Sequence, residues 1–227
     1  MNRWIPTLLL LVFFNAWGQA ETLKVRHDHN PWGKCTGEVI VSESGIEYRT
    51  EKKHSHQWKW VDIQSFDRKS STAFSILTYQ DQKWALGADR SFNFTLLPEQ
   101  EPLSEETFQL ISQYLGKPIT DRMGRRIEAE YQVPVKHLHT FGGCEGTLYF
   151  GKQWIVYDTD HPKDARTWKR NRDVESVWSL NRFQLEVHVF EENKRASDKT
   201  RRFRFQLKEP LDEVYYEQLR REFLPGR

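Results

Sequence analysis

The sequence predicts a mostly-β protein of the α+β class, made of two copies of one unit. Each unit is a set of short antiparallel strands followed by a helix. Three observations carry this. Residues 25–37 (VRHDHNPWGKCTG) and 135–146 (VKHLHTFGGCEG) share Val, a basic residue, His-x-His, a turn-like insert and Gly-x-Cys-x-Gly. Residues 90–96 (RSFNFTL) mirror residues 201–207 (RRFRFQL). An acidic, capped helical stretch then begins at Leu103-Ser104-Glu105-Glu106 in one copy and at Leu211-Asp212-Glu213 in the other. The copies stand 110 residues apart, beyond the periods of about 20–50 residues that build solenoids, so a whole domain is duplicated.

Residues 1–20 read as a targeting segment. Arg3 gives a positive start, Thr7 to Phe14 (TLLLLVFF) an apolar run, and Gly18-Gln19-Ala20 small residues at a cleavage point. The run is shorter than the ~20 residues that span a bilayer, so cleavage after Ala20 and export to the periplasm or beyond is expected. What remains divides into a first domain at 21–116, a linker at 117–134 and a second domain at 135–227. Each is close to the usual size of an independent domain. No further long apolar stretch occurs, so no transmembrane segment is expected in the mature chain. The first domain carries a formal charge of −3 and the second +3. Neither value suits a nucleic-acid partner.

In the first copy, Lys24 to His29 is extended. Cys35, Gly37, Val39 and Val41 are in phase, Ser42-Glu43-Ser44-Gly45 turns, and Ile46 to Arg49 returns, which predicts a hairpin over 35–50. Thr50 to His56 is a polar loop. Trp58 to Ile63, Phe74 to Tyr79 and Phe92 to Leu97 are further strands, rich in aromatic and β-branched residues. Ser104 caps a helix with Phe108, Ile111 and Leu115 on one face, ended by Gly116 with Pro118 beyond.

The second copy repeats the course. Cys144, Gly146, Leu148 and Phe150 are in phase, Gly151-Lys152-Gln153 turns, and Trp154 to Asp158 returns. A long polar loop follows through Asp158-Thr159-Asp160-His161-Pro162-Lys163-Asp164. Strands are expected near Val174–Trp178, Phe183–Phe190 and Arg201–Lys208, with a charged loop at 191–200. Asp212 caps a last helix with Tyr215, Leu219 and Phe223 on one face. Residues 117–134 are flanked by proline and rich in charge, as linkers are.

This layout, with Gly45-Ile46-Glu47-Tyr48 before Trp58-Lys59-Trp60-Val61-Asp62-Ile63, resembles pleckstrin-homology-like (PH-like and GRAM-like) domains. Their bent seven-stranded antiparallel sheet is closed by a C-terminal helix. In the second copy the counterpart stretch is Trp154 to Tyr157 with Arg172-Asp173-Val174, which lacks the second Trp. The Val-x-His-x-His and Gly-x-Cys-x-Gly opening is similar to that of exported acidobacterial proteins. The resemblance implies two tandem PH-like domains, each closed by its helix, in a bacterial protein.

The residues that could carry chemistry are few. His27 and His29 lie two apart, so a strand would place them on one face, and Cys35 follows a turn. His137, His139 and Cys144 repeat the arrangement. Imidazoles and a thiolate suit zinc or copper, although the spacing matches no closed zinc motif. His54 and His56 add nitrogens in the first copy, and His161 in the second. The same residues are also in phase with core positions, which suits buried structural histidines and small buried thiols. Export would permit a Cys35–Cys144 disulfide if the two strands meet. Trp84 and Trp168, each beside polar sequence, are expected to be exposed, and either could anchor a partner. Lys169, Arg170 and Arg172 could form a cationic face for anionic headgroups, but acidic residues interrupt it.

No Gly-x-Ser-x-Gly, His-Glu-x-x-His or phosphate-loop motif occurs, so no enzyme is expected. The preferred expectation is a non-catalytic binding or scaffold protein of the cell envelope, without a cofactor, recognising a protein or peptide. A zinc- or copper-binding protein is the first alternative. Attachment to an anionic membrane surface is the second.

Overall fold

A computed structural model describes residues 20–29, 33–51, 54–82, 88–124, 127–161, 163–191 and 200–223, with His29 described by its backbone alone. Residues 1–19 of the targeting segment, Trp84 and residues 192–199 of the expected charged loop lie outside these ranges.

The first copy contributes β1 (Glu21–His29), β2 (Gly33–Ser42), β3 (Gly45–Arg49), β4 (His56–Lys59), β5 (Ile63–Ser70), β6 (Ala73–Asp81), β7 (Asp89–Leu96) and α1 (Glu105–Leu115). After β8 (Ile119–Asp121), the second copy contributes β9 (Tyr131–Leu138), β10 (Gly143–Phe150), β11 (Trp154–Asp158), β12 (Arg166–Lys169), a single turn α2 (Arg170–Asp173), β13 (Val174–Asn181), β14 (Gln184–Val189), β15 (Arg201–Leu207) and α3 (Glu213–Glu222). The protein is mostly β, with one large sheet and three α-helices among the described residues.

The strand order shows the duplication. Half of the sheet runs β5-β6-β7-β1-β2-β3-β4, and the other half runs β13-β14-β15-β9-β10-β11-β12 in the corresponding order. Each half has its own core. One gathers Val25, Val39, Tyr48, Trp58, Phe66, Phe74, Phe92 and Phe94 with Phe108, Ile111 and Leu115 of α1. The other gathers Val135, Leu148, Tyr157, Trp168, Val187, Phe203 and Phe205 with Leu219 of α3. Alternation builds both, because every second side chain of a strand points to the same face. Both helices start as the sequence predicts. Ser104 Oγ accepts from Thr107 N–H at 3.1 Å, and Asp212 Oδ1 accepts from Tyr215 N–H at 2.7 Å. Gly116, at φ 60°, ends α1 in the left-handed conformation.

Three expectations need correction. The stretch Trp58 to Ile63 is not one strand. β4 stops at Lys59, one tight turn covers Trp60–Asp62, and β5 starts at Ile63. Asp62 makes that turn by accepting from Lys59 N–H at 3.2 Å, as Asp173 does from Lys169 N–H at 2.8 Å. β12 occupies Arg166–Lys169, where no strand was expected. The counterpart of Trp58 is therefore Trp168, and Arg170 stands where the first copy has Trp60.

β8 and the start of β9 fall within the segment 117–134 that was expected as a linker. β8 pairs in parallel with β5 and antiparallel with β12, joining the two halves. Ile119 N–H donates to Asp173 Oδ1 at 3.0 Å, and Thr167 Oγ1 donates to the Met123 carbonyl at 2.6 Å. Arg122 forks onto both oxygens of Asp67 at 2.9 and 2.7 Å. No described helix is long and apolar enough to cross a membrane.

Candidate metal centre

β9 and β10 set the first three side chains. His137 is the direct cross-strand neighbour of Cys144, and neighbouring side chains on one face of a ladder touch. His139, two residues on, shares the face of His137. The hairpin between the strands turns through Gly142 at φ 78°, and His139 N–H donates to the Gly142 carbonyl at 3.1 Å. Asp164 arrives from the β11–β12 loop. Its N–H donates to the His161 carbonyl at 2.8 Å.

These four side chains converge. His139 Nε2 lies 3.1 Å from His137 Nδ1, 3.5 Å from Cys144 Sγ and 3.4 Å from Asp164 Oδ1. His137 Nδ1 lies 3.9 Å from Cys144 Sγ and 4.0 Å from Asp164 Oδ1. All four ligand atoms fall within 4.8 Å of one another. Zinc bonds of about 2.0–2.1 Å to nitrogen and oxygen and about 2.3 Å to sulfur imply tetrahedron edges of roughly 3.3–3.6 Å. The observed separations bracket those edges, and small rotamer shifts would close the difference.

The surroundings fix the donors. The His137 ring packs against Tyr157, Phe203 and Phe205 at centroid distances of 5.7, 5.3 and 5.3 Å. Burial first, then the neighbouring His139, push its pKa down to about 4, against the upward pull of Asp164. The imidazole is thus neutral near pH 7 and offers a lone pair. Burial pushes the Cys144 thiol up, against the hydrogen bond from Tyr157, so an incoming ion must displace its proton. Tyr157 Oη donates to the Cys144 carbonyl at 2.9 Å and lies 3.2 Å from Sγ, orienting the sulfur from behind. Burial and the Cys144 contact push the Tyr157 phenol up, so it stays a donor.

Gly146 lets the tyrosine in. A Cβ there would stand 2.2 Å from the Asp158 carbonyl and 2.8 Å from the Tyr157 ring. The closing glycine of Gly-x-Cys-x-Gly is therefore a requirement of the tyrosine behind the thiol. Gly146→Ala is expected to cost about 1–3 kcal/mol, the range for forced overpacking, and to loosen metal binding. Urea unfolding of the variant checks the first effect, and chelator competition the second.

Arg166 holds the Asp164 loop. It is 1% exposed. Its Nη1 donates to the Lys163 and Ala165 carbonyls at 2.7 and 2.8 Å, on either side of Asp164. Its Nε and Nη2 reach Glu191 at 3.1–3.3 Å, and Glu191 also accepts from Arg201 at 3.2 Å. Burial lowers the Arg166 pKa, and Glu191 opposes that shift.

Two nitrogens, one sulfur and one carboxylate oxygen make a tetrahedral set of borderline softness, suited to zinc and acceptable to copper. Four protein ligands leave no open position, which is the habit of structural rather than catalytic zinc. Since binding releases the Cys144 proton, affinity is expected to weaken at least about tenfold per pH unit on acidification below the thiol pKa. Competition titrations at pH 8 and pH 6 measure this. An unchanged affinity would remove the thiol from the ligand set.

The sequence singled out His137, His139 and Cys144, and the structure brings them together. It did not single out Asp164. Two other acids of the same loop, Asp158 and Asp160, do not join the group. In the first copy, His27 and Cys35 are likewise cross-strand neighbours and buried, while the side chain of His29 lies outside the described residues.

Other expected sites fare differently. Trp168 is 1% exposed and meets the Phe203 ring edge to face, so it fills the core rather than standing out as an exposed anchor. Arg170 is buried, bonded to the Gly151 carbonyl at 2.7 Å and paired with Glu222. Arg172 is tied to Asp173 and Ser112. Only Lys169 of that cationic trio has no such internal tie on its side chain among the described contacts, so the expected basic face does not form there. Cys35 and Cys144 lie in separate cores, each facing its own tyrosine, and no disulfide joins them.

No protein-family model and no curated protein matches the chain. Among solved structures, it is similar to one titled "Structure of the Spt16D Pob3N heterodimer". That match has 10% identity and a TM-score of 0.32, and it covers 85% of this chain and 98% of that one. At that score the likeness assigns neither a family nor a function.

Proposed function

We propose that this chain is a metal-binding protein whose second half holds a zinc-class ion through His137, His139, Cys144 and Asp164. The observation that carries the reading is the convergence of these four ligand atoms within 4.8 Å of one another. Buried structural histidines need no such meeting with a thiol and a carboxylate. The closed ligand set makes the ion a stabilising or binding element, in keeping with a non-catalytic protein. The identical strand order of the two halves supports tandem PH-like domains, each closed by its helix. The apolar run at Thr7 to Phe14 supports export of a bacterial envelope protein. Recognition of a protein or peptide partner is a further part of this proposal, with Trp84 remaining as an anchor.

Zinc per chain, measured by native mass spectrometry, tests the metal reading. Cys144→Ala is expected to lower the bound zinc by one equivalent while the far-ultraviolet dichroism stays that of the parent. Equal zinc in parent and variant would overturn it.

A further inference from the structure

We infer that the first half carries a second metal site, formed by His27, Cys35 and His54, with a donor set different from that of the second half. The inference takes its choice of ligand positions from the centre described above, and its test separates the two.

The strand registers equate the sites residue by residue. His27 faces Cys35 across β1 and β2 as His137 faces Cys144 across β9 and β10. His27 lies opposite Phe94, and His137 opposite Phe205. Tyr48 Oη stands 3.0 Å from Cys35 Sγ, as Tyr157 Oη stands 3.2 Å from Cys144 Sγ. Gly37 gives that tyrosine room in the way Gly146 does, since a Cβ there would meet the Arg49 carbonyl at 2.2 Å and the Tyr48 ring at 2.8 Å. Thr50 donates to the Thr36 carbonyl at 2.9 Å, and Thr159 to the Glu145 carbonyl at 2.6 Å.

The fourth corner follows from the same ladder. Tyr48 pairs with His56 and Ile46 with Trp58, while Tyr157 pairs with Arg166 and Ile155 with Trp168. Two residues before His56 stands His54, and two before Arg166 stands Asp164. The position that supplies a carboxylate in the second half thus supplies an imidazole in the first. The backbone register also places His29, paired with Gly33 at the end of β1, at the level of His139. His54 is exposed on its loop, and Cys35 borders a groove that opens to solvent beside Thr50 and Glu51.

The exchange of Asp164 for His54 has a chemical consequence. A divalent ion in the second half meets two negative ligands, thiolate and carboxylate. In the first half it meets one thiolate and neutral imidazoles, a softer set with one negative charge fewer. The two ions should differ in affinity and leave separately.

Zinc equivalents on the full chain decide the matter. The parent is expected to bind two, Cys35→Ala one, Cys144→Ala one, and the double variant none. In the Cys144→Ala background, His54→Ala should weaken the remaining ion at least about tenfold. His54 is exposed, so this variant keeps its fold even where Cys35→Ala disturbs the core. A parent binding one ion, kept by Cys35→Ala and lost by Cys144→Ala, would overturn this inference and leave the second-half centre standing. An ion lost with Cys35→Ala but indifferent to Cys144→Ala would support the first-half site and sink the other. Affinity unchanged by His54→Ala would also overturn the assignment.

Discussion

Arg166→Met is expected to be among the most damaging single substitutions in the second half. It removes the cation that Glu191, 5% exposed, depends on, and leaves Arg201 alone against that carboxylate. Breaking a buried pair from one side costs about 3–5 kcal/mol, because the surviving charge stays desolvated. The same change frees the Lys163 and Ala165 carbonyls that bracket Asp164. Zinc affinity should then fall by about 10–100-fold, the usual effect of losing a group that orients a ligand. Arg166→Lys restores charge but not the fork that serves Glu191 and both carbonyls at once, so it should recover only part of either effect. Urea unfolding and chelator competition read the two losses. A loss of stability at unchanged zinc affinity would mean that Asp164 is placed without help from Arg166.

His137→Phe separates a ligand from a core residue. The phenyl ring can keep the packing against Phe203, Phe205 and Tyr157, so a chelated protein should change by less than about 1.5 kcal/mol, as volume-conserving swaps do. The nitrogen is gone, so the second-half ion should be gone too. Zinc at 1,000 times the Kd of a single site adds about 4 kcal/mol of stability by mass action. A Cys35→Ala chain, which isolates this centre, should show that gain, and the His137→Phe chain built on it should show none. Thermal unfolding with and without zinc is the measurement. An equal zinc-induced shift in both would make His137 a structural histidine.

Much of the fold was legible because a duplicated pattern is its own control. The His-x-His and Gly-x-Cys-x-Gly segments, the paired Phe-x-Phe strands and the capped helices recur in both halves and stand in equivalent places in the sheet. β5 and β12 were not legible. β12 is four residues long, too short for period-two alternation to show, and β5 contains Gln64, Asp67, Arg68 and Lys69, which hide its buried Ile63 and Phe66. Trp168 looked exposed because polar residues precede it. Its equivalence to Trp58 is obscured by α2, one residue longer than the tight turn in the first half. Arg170 looked like a surface charge because Glu222, its partner, lies 52 positions away in sequence.

The proposed metal ligands divide in the same way. His137, His139 and Cys144 sit on paired strands, where spacing fixes who meets whom. Asp164 comes from an irregular loop, where spacing predicts nothing. Comparison of the copies conceals it further, because its counterpart is His54 rather than an acid. A loop residue becomes a ligand only when something holds the loop, and Arg166, buried and forked onto its carbonyls, is visible only in three dimensions.

X-ray absorption at the zinc edge of the loaded Cys35→Ala chain tests the centre most directly. Four ligands are predicted, one sulfur at about 2.3 Å and three nitrogen or oxygen atoms at about 2.0–2.1 Å. A six-coordinate shell of light atoms without sulfur would contradict it.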